Sequence, residues 1–557
     1  MKVALAQMNS TVGDLGGNSL KIKDFIKAAV KLGVDIIVFP ELAITGYPPQ
    51  DLLLDFEFIR QNRSHMLDVT SETEGLLCIL GFVDYDNNRN LYNSAAVIFN
   101  QKLIGTVYKT LLPTYDVFDE DRYFKANKKS ELNPLSVKLH NQHLNLGIEI
   151  CEDLWDEYYD LKVTDLLVAR GADVIINLSA SPFYAGKRIV RENLLRDKAI
   201  KNNTPIFYVN SVGGQDELVF DGYSFAVDRL GDLIGYAKQF EEELVCIDLD
   251  LDKMTADKIV APPFHREEEI FNALVLGIRD YFRKTGFHAA VIGMSGGIDS
   301  SLTTCLAVDA LGHENVIGIS MPSKYSSGHS KTDAQMLAEN LGICFLEVPI
   351  QCIVDAYQSE LNHPLQRLRD YYKLSAKEDN PIADENIQPR VRGNILMDIS
   401  NRLGKLKILV LNTGNKTELA LGYCTLYGDM SGGLSAIGDV SKIDVYKLAH
   451  YYNKKEGKEI IPHNVFIKKP SAELKEGQFD PFNYDIISPL VDEIIENRLA
   501  QNELIAMGYP KDIVLDTLKK ITLAEYKRWQ APPCIKITQK AFGTGRKMPI
   551  VNKYIKS

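Results

Sequence analysis

The stretch Ala289-Ala290-Val291-Ile292-Gly293-Met294-Ser295-Gly296-Gly297-Ile298-Asp299-Ser300-Ser301 decides the reading of the second half of this 557-residue chain. Its apolar run reads as a buried strand, and the glycines that follow turn the chain into a helix. Successive backbone N–H groups without a Cβ in the way, the hydroxyls of Ser295, Ser300 and Ser301, and the positive end of a helix dipole make a cradle for phosphates. The loop has no lysine where a GxxxxGKS/T phosphate loop has one, and Asp299 sets a carboxylate beside the anion. A carboxylate there makes sense only with a metal between. An ordinary glycine-rich turn with a serine-capped helix is the plainer alternative.

Working outward, the second half alternates strands (289–293, 316–320, 345–349 and 407–411) with helical patterns such as 331–341. Parallel strands joined by crossover helices predict a doubly wound sheet, with the glycine loop at the carboxyl end of its first strand, where such sheets bind ligands. The polar, broken segment from Leu374 to Gln388 reads as a lid or a surface loop. The first half carries short Val- and Ile-rich runs at 3–8, 35–39, 77–83, 95–99, 103–108, 144–150, 174–178 and 205–209, bounded by Gly, Asp and Asn, which predict a layered α/β domain. The proline-marked stretch 252–266, with Pro262-Pro263, is the expected connection, giving domains 1–261 and 262–557.

Length alone rules out a single hydrophobic core. Hydrophobic residues at 45% and charged residues at 25% describe a folded chain, with no low-complexity tract or fixed-period repeat. The net charge of -11 argues against a protein built to grip nucleic acid. Eight scattered cysteines (Cys78, Cys151, Cys246, Cys305, Cys344, Cys352, Cys424 and Cys534) form no CxxC pair, so structural zinc is not expected and reduced thiols are. The apolar stretch Val3–Ala6 is too short for a signal peptide and no run approaches a membrane span, so no membrane association and a cytoplasmic location are expected.

Three reactive residues in the first half each follow a predicted strand: Glu41 after 35–40, Lys109 after 105–108 and Cys151 after 146–150. A thiol must lose its proton before attacking a carbonyl, and a carboxylate such as Glu41 can take it. Lys109 suits a thiolate and the oxyanion of a tetrahedral intermediate, while Glu152 and Asp153 would raise the thiol pKa. Taken singly, each residue has a packing or surface explanation. In the second half the strand 408–412 leads through Thr413-Gly414-Asn415-Lys416-Thr417-Glu418 into another helix. Asp299 and Glu418 on neighbouring strand ends could share Mg²⁺ with a nucleotide's phosphates; alone, Glu418 reads as a helix-dipole partner.

The Ser-Gly-Gly-x-Asp-Ser pattern resembles the loop of the N-type ATP pyrophosphatases, which implies cleavage of ATP between the α- and β-phosphates and activation of a substrate as an adenylate. Glu41, Lys109 and Cys151, with Leu111–Tyr115, Val117–Glu120 and Asn177–Phe183, resemble the nitrilase/amidase superfamily over most of residues 1–250. That resemblance implies an αββα sandwich, a Glu-Lys-Cys triad supported by Glu120, and glutamine held by Tyr115, Ser181 and Lys187. From residue 266 onward the segments 385–393, 427–430, 439–442, 469–474 and 540–543 resemble the NAD⁺ synthetase family, and the whole chain resembles its glutamine-dependent members. The resemblance implies a Rossmann-like fold of the adenine nucleotide α-hydrolase type. It implies ATP contacts from Ser295, Gly296, Gly297, Ile298, Asp299, Ser300, Ser301, Thr413 and Lys442. It further implies deamido-NAD contacts from Arg390, Glu418 and Lys540, Mg²⁺ on Asp299 and Glu418, and a homo-oligomer paired through synthetase domains. Where ammonia-dependent members carry a lysine before Tyr-Gly-Asp, this chain has Leu426, so that contact has no counterpart. The expected activity is adenylation of deamido-NAD⁺ and amidation with ammonia that Cys151 releases from glutamine. Another glutamine-dependent ATP pyrophosphatase amidotransferase and a non-catalytic nucleotide-binding protein are the rival expectations.

Overall fold

A computed structural model describes residues 1–139 and 142–554 and divides them into two compact units, Met1–His265 and Arg266–Ser557. The strands of the first unit are β1 (Lys2–Gln7), β2 (Ile36–Val38), β3 (Leu77–Tyr85), β4 (Leu91–Phe99), β5 (Lys102–Tyr108), β6 (Leu135–Leu139) and β7 (Gln142–Ile150). They continue as β8 (Val174–Ser179), β9 (Ile206–Asn210), β10 (Val212–Gln215), β11 (Leu218–Asp221), β12 (Phe225–Val227), β13 (Leu233–Tyr236) and β14 (Glu243–Asp248). Two six-stranded sheets result, ordered β14-β1-β2-β3-β4-β5 and β13-β12-β9-β8-β7-β6, with β10 and β11 forming a separate hairpin. Parallel pairing is confined to the centre of each sheet, β1-β2-β3 in one and β7-β8-β9 in the other.

Period-two alternation explains the layering. Val3 and Leu5 of β1 meet Val174, Ile176 and Leu178 of β8 in the core between the sheets. Ala4 and Ala6 turn the other way, under the helices α1 (Leu15–Lys31) and α2 (Phe56–Val69), whose Ile22, Ile26 and Met66 complete that outer core. Ile175 and Ile206 face outward against α3 (Val163–Ala169) and α4 (Lys187–Asn202) through Val163, Leu167 and Leu195. Strands buried on both faces read as unbroken apolar runs, which is why the central ones were legible in the sequence. The result is the expected αββα sandwich.

The second unit carries β15 (Ala289–Gly293), β16 (Val316–Ser320), β17 (Cys344–Glu347), β18 (Ile408–Asn412) and β19 (Leu434–Ser435), all parallel, in the order β17-β16-β15-β18-β19. Its helices begin with α5 (Arg266–Thr285), α6 (Ile298–Leu311), α7 (Gly328–Leu341), α8 (Gln351–Tyr372), α9 (Ile382–Arg402), α10 (Lys416–Leu421) and α11 (Lys442–Glu456). The chain steps from β15 to β16 and β17 in one direction, then returns to place β18 on the other side of β15. The loops after β15 and β18 therefore flank a topological switch point, where a crevice opens at the carboxyl ends of the strands.

Two sequence readings change. The tract 374–388 is neither a loop nor a lid throughout: Ala376–Glu378 make one tight turn, and α9 begins at Ile382 with Asp384 and Glu385 in its first turn, where carboxylates suit the helix dipole. Helix α8 went unread because Val354 alone is buried along it and Pro364 interrupts its pattern. Among the described residues, no helix is long and apolar enough to cross a membrane.

One glycine ties the first fold to its chemistry. A Cβ on Gly81 of β3 would lie 2.3 Å from the Pro40 carbonyl oxygen and 2.5 Å from the Leu42 nitrogen, so the segment carrying Glu41 rests directly on it. The variant Gly81→Ala is expected to lower unfolding free energy by about 1–3 kcal/mol, the usual cost of overpacking. A denaturant melt with an unchanged midpoint for the first unit would contradict that packing.

Candidate active sites

In the first unit, Glu41 follows β2, Lys109 follows β5 and Cys151 follows β7. All three are buried, and Glu120 joins them from the loop beyond Pro113, where its backbone N–H donates to the Pro113 carbonyl. The Lys109 ammonium donates to Glu41 Oε1 at 2.7 Å and to Glu120 Oε1 at 2.8 Å. Burial alone would push that ammonium toward neutrality, but the Glu120 and Glu41 carboxylates outweigh it and hold Lys109 well above the usual lysine range. Glu41 also accepts from Asn93 Nδ2 at 2.7 Å and, on its other oxygen, from the Ala180 N–H at 2.9 Å. Glu120 accepts from the Tyr47 hydroxyl at 2.9 Å, and its carboxyl is pushed up to about 7 by burial, despite Lys109 beside it.

Cys151 sits at φ +45°, in the left-handed region that a non-glycine residue occupies at a cost of about 1–3 kcal/mol. That turn takes its side chain out of the strand. Burial first, then Glu41, Glu152 and Glu120, hold the thiol well above the ordinary range, and Lys109 only partly offsets them. Lys109 thus favours the thiolate, as the sequence suggests, but burial and the neighbouring carboxylates act more strongly the other way, and Glu41 is the carboxylate that can accept the thiol proton. Of the two acids after Cys151, Asp153 is directed to backbone, accepting from the N–H groups of Leu111 at 2.7 Å, Thr110 at 3.0 Å and Ile150 at 3.1 Å, which ties the lysine segment to the cysteine turn.

Tyr115 donates to both oxygens of Glu152 at 3.0–3.1 Å, and Tyr159 donates to the same carboxylate at 3.0 Å. Lys187 opens α4, donates to the Pro182 carbonyl at 2.7 Å and lies 5.5 Å from the centre of the Trp155 ring. Ser181 is buried with its N–H on Asn210 Oδ1 at 2.9 Å. Sequence reasoning missed Tyr47 and Asn93. Each lies far along the chain from the carboxylate it contacts, Tyr47 from Glu120 and Asn93 from Glu41, and no local pattern marks them.

The second unit holds a cavity of about 290 Å³ at the switch point. Ser295, Gly297, Ile298, Asp299 and Ser300 line it from the glycine loop, Thr413 and Glu418 from the loop after β18, and Lys442 from the start of α11. Gly296 is behind the wall: at φ +70° its missing Cβ would fall 2.1 Å from the Ser330 carbonyl oxygen, so only glycine closes this turn. Ser301 is also off the wall, and both Ser300 and Ser301 donate their hydroxyls to the Gly297 carbonyl, at 3.0 and 2.8 Å.

Lys442 donates to Asp299 Oδ2 and, at 3.4 Å, to Glu418 Oε1. The two carboxylates hold this buried ammonium above the usual lysine range, against the effect of burial itself. Asn415 links the same acids: its Nδ2 donates to Asp299 Oδ1 at 2.9 Å, and its Oδ1 accepts the Glu418 N–H at 3.1 Å as a helix cap. Sequence reasoning passed over Asn415, although Asn-x-x-Glu before a helix is a capping-box signature. Arg390 and Lys540 do not line the cavity. Arg390 is exposed and donates from Nε to the Leu426 carbonyl at 3.2 Å, while Lys540 donates to the Gly545 carbonyl at 2.5 Å.

Comparison with known proteins agrees with both halves. Residues 2–259 match the carbon-nitrogen hydrolase family and residues 270–531 match the NAD synthase family. The chain is 42% identical to the glutamine-dependent NAD(+) synthetase of Thermotoga maritima, over 100% of this chain and 99% of that one. It is 41% identical to the enzyme of the same name from Synechocystis, over 99% of each. Among solved structures, the glutamine-dependent NAD⁺ synthetase of Acinetobacter baumannii in complex with ADP is 35% identical, with a TM-score of 0.76 over 100% of this chain and 99% of that one. The Cytophaga hutchinsonii structure, at 21% identity and a TM-score of 0.83 over 99% and 98% of the two chains, shares the fold. With a thiol site on a nitrilase-like sandwich, a phosphate loop on a doubly wound sheet and relatives matched from end to end, this chain belongs to the glutamine-dependent NAD⁺ synthetase family.

Proposed function

We propose that Cys151, Glu41, Lys109 and Glu120 hydrolyse glutamine, and that the cavity around Asp299, Glu418 and Lys442 adenylates deamido-NAD⁺ and amidates it with the ammonia released. The observation that carries this is the pair of separate, internally complete sites, each with a buried lysine held between two carboxylates. On this reading residues 1–261 form the glutaminase domain and residues 262–557 the synthetase domain.

At the first site Glu41 takes the thiol proton as Cys151 Sγ attacks the side-chain amide of glutamine. The Lys109 ammonium then stabilises the oxyanion, a job for which it is already oriented and desolvated. As the tetrahedral intermediate collapses, Glu41 passes the proton taken from the thiol to the departing nitrogen, which leaves as ammonia, and a γ-glutamyl thioester remains. Glu41 next activates water to release glutamate. Tyr115, Ser181 and Lys187 hold the glutamine, with Glu152 orienting Tyr115.

At the second site the nicotinate carboxylate of deamido-NAD⁺ attacks the α-phosphorus of ATP, giving an adenylate and pyrophosphate; ammonia then displaces AMP. The backbone of Ser295–Asp299 and the Thr413 segment bind the phosphates, and Lys442 neutralises charge that develops on them. The ADP held by the Acinetobacter relative supports an adenine nucleotide as the ligand. Arg390, Glu418 and Lys540 serve deamido-NAD⁺. The donor set fits Mg²⁺: Asp299 and Glu418 offer hard oxygens on adjacent loops, and burial with Asp299 alongside pushes the Glu418 carboxyl up to about 8, a pair short of positive charge. When bound, the ion would supply charge neutralisation for ATP phosphates. A cytoplasmic enzyme, paired through its synthetase domains into a homo-oligomer, completes this reading.

Cys151→Ala is expected to abolish glutamine-supported NAD⁺ formation and to spare ammonia-supported formation, read as steady-state turnover with each nitrogen source. Loss of both in a variant that melts like the parent would sink the division of labour. Asp299→Asn is expected to lower turnover with either nitrogen source by about 100-fold or more, the scale of losing a preorganised charged group at a reacting phosphate. Full ammonia-supported activity in that variant would remove Asp299 from the machinery.

A further inference from the structure

The cavity wall carries acids from several segments, namely Asp299, Glu418, Asp429, Glu473 and Asp480. Its cations are fewer, and Lys442 is already shared between two of those carboxylates. Arg392, on α9, is different. Its position two residues after Arg390 sends it to another face of the helix, onto the cavity wall that Arg390 does not reach. Its Nε donates to the Met321 carbonyl at 3.0 Å, just beyond the carboxyl end of β16, the strand beside the glycine loop's own strand. That bond fixes the guanidinium plane. Among the described residues, no carboxylate lies within ion-pairing distance of it.

Burial therefore dominates, and the guanidinium is pushed down to about 10, with Glu473 and Asp429 too far to restore it. Lys468 repeats the pattern on the same wall: it donates to Ser330 Oγ at 2.8 Å, has no carboxylate partner among the described residues and is also depressed by burial. Neither cation is in direct ion-pair contact, Glu473 attracting both only from a distance, and two such desolvated charges on one cavity are costly unless an anion arrives there. A guanidinium with one N–H committed to the backbone keeps the donors of its outer edge for a phosphate, which it can meet in a bidentate fashion.

We infer that Arg392, assisted by Lys468, is a second anion-binding station of this cavity and takes a phosphate of a nucleotide substrate, separate from the Lys442 station. The inference rests on the assignment of this cavity to ATP and the dinucleotide. The phosphate chain of ATP and the diphosphate of deamido-NAD⁺ offer the same chemistry, and the two titrations below tell them apart.

The test is calorimetric binding of each nucleotide alone to the full chain with Mg²⁺, comparing the parent with Arg392→Gln, Arg392→Lys and Lys442→Met, each checked for a cooperative melt well above the assay temperature. Arg392→Gln is expected to weaken one nucleotide by ~10- to 100-fold, the scale of a lost charge-assisted hydrogen bond, while Arg392→Lys recovers part of the loss. Weakened ATP assigns the station to the phosphate chain, and weakened deamido-NAD⁺ assigns it to the diphosphate. Binding of both within twofold of the parent in Arg392→Gln would overturn the inference. So would a Gln variant that binds normally beside a Lys variant that does not, since that pattern marks a backbone anchor at Met321. If Lys442→Met also binds both nucleotides normally, the assignment of the cavity itself fails.

Discussion

Each half of the chain is organised around a lysine ammonium withdrawn from water and held between two carboxylates. Lys109 joins segments that follow β2, β5 and the Pro113 loop; Lys442 joins the first turns of α6, α10 and α11. Removing such charges from water costs several kcal/mol per ion, which the attraction between them offsets only while every member is in place. Loss of one partner would leave a buried charge alone, at about 3–5 kcal/mol. These triads are consequently poor places to gain stability and good places to hold geometry. On the proposed reading, the charges that would meet a developing oxyanion or phosphate are oriented before any substrate arrives.

The two folds deliver their triads to comparable places by different routes. In the sandwich, burial on both faces fixes strand register, so residues just past β2, β5 and β7 meet in one buried polar cluster. In the doubly wound sheet, reversal of strand order leaves β15 and β18 adjacent while their following helices diverge, and the crevice between them receives Asp299 and Glu418. Asn415 then performs for the second site what Asp153 does for the first: each uses a buried side chain to bind two loops that chemistry requires to stay in register.

Much of this was legible in the sequence wherever chemistry immediately follows an apolar run. Glu41, Lys109, Cys151 and Asp299 all end or closely follow Val- and Ile-rich strands, and doubly buried strands are the easiest elements to see. Contacts made across the chain were not legible. Asn93 and Tyr47 each bond a carboxylate that lies tens of residues away, Glu41 and Glu120 respectively, and nothing local distinguishes Arg392 from Arg390 until the phase of α9 is known. The strands β10 to β13 were missed because each has only three or four residues, among them Gly213, Gly214 and Gly235. The direction of the Cys151 thiol was legible from Glu152 and Asp153 beside it, but the larger contribution, burial, depends on the folded core and has no local signal.

The central claim is that one chain moves nitrogen from a glutamine side chain to an adenylated carboxylate. The most direct measurement supplies amide-¹⁵N glutamine, unlabelled ammonium, ATP, Mg²⁺ and a panel of carboxylate acceptors that includes deamido-NAD⁺, then follows the label and the adenine products. The account predicts ¹⁵N in the nicotinamide group of NAD⁺, with AMP and pyrophosphate formed alongside it. Absence of product from deamido-NAD⁺, or ATP consumed to ADP and phosphate, would contradict it.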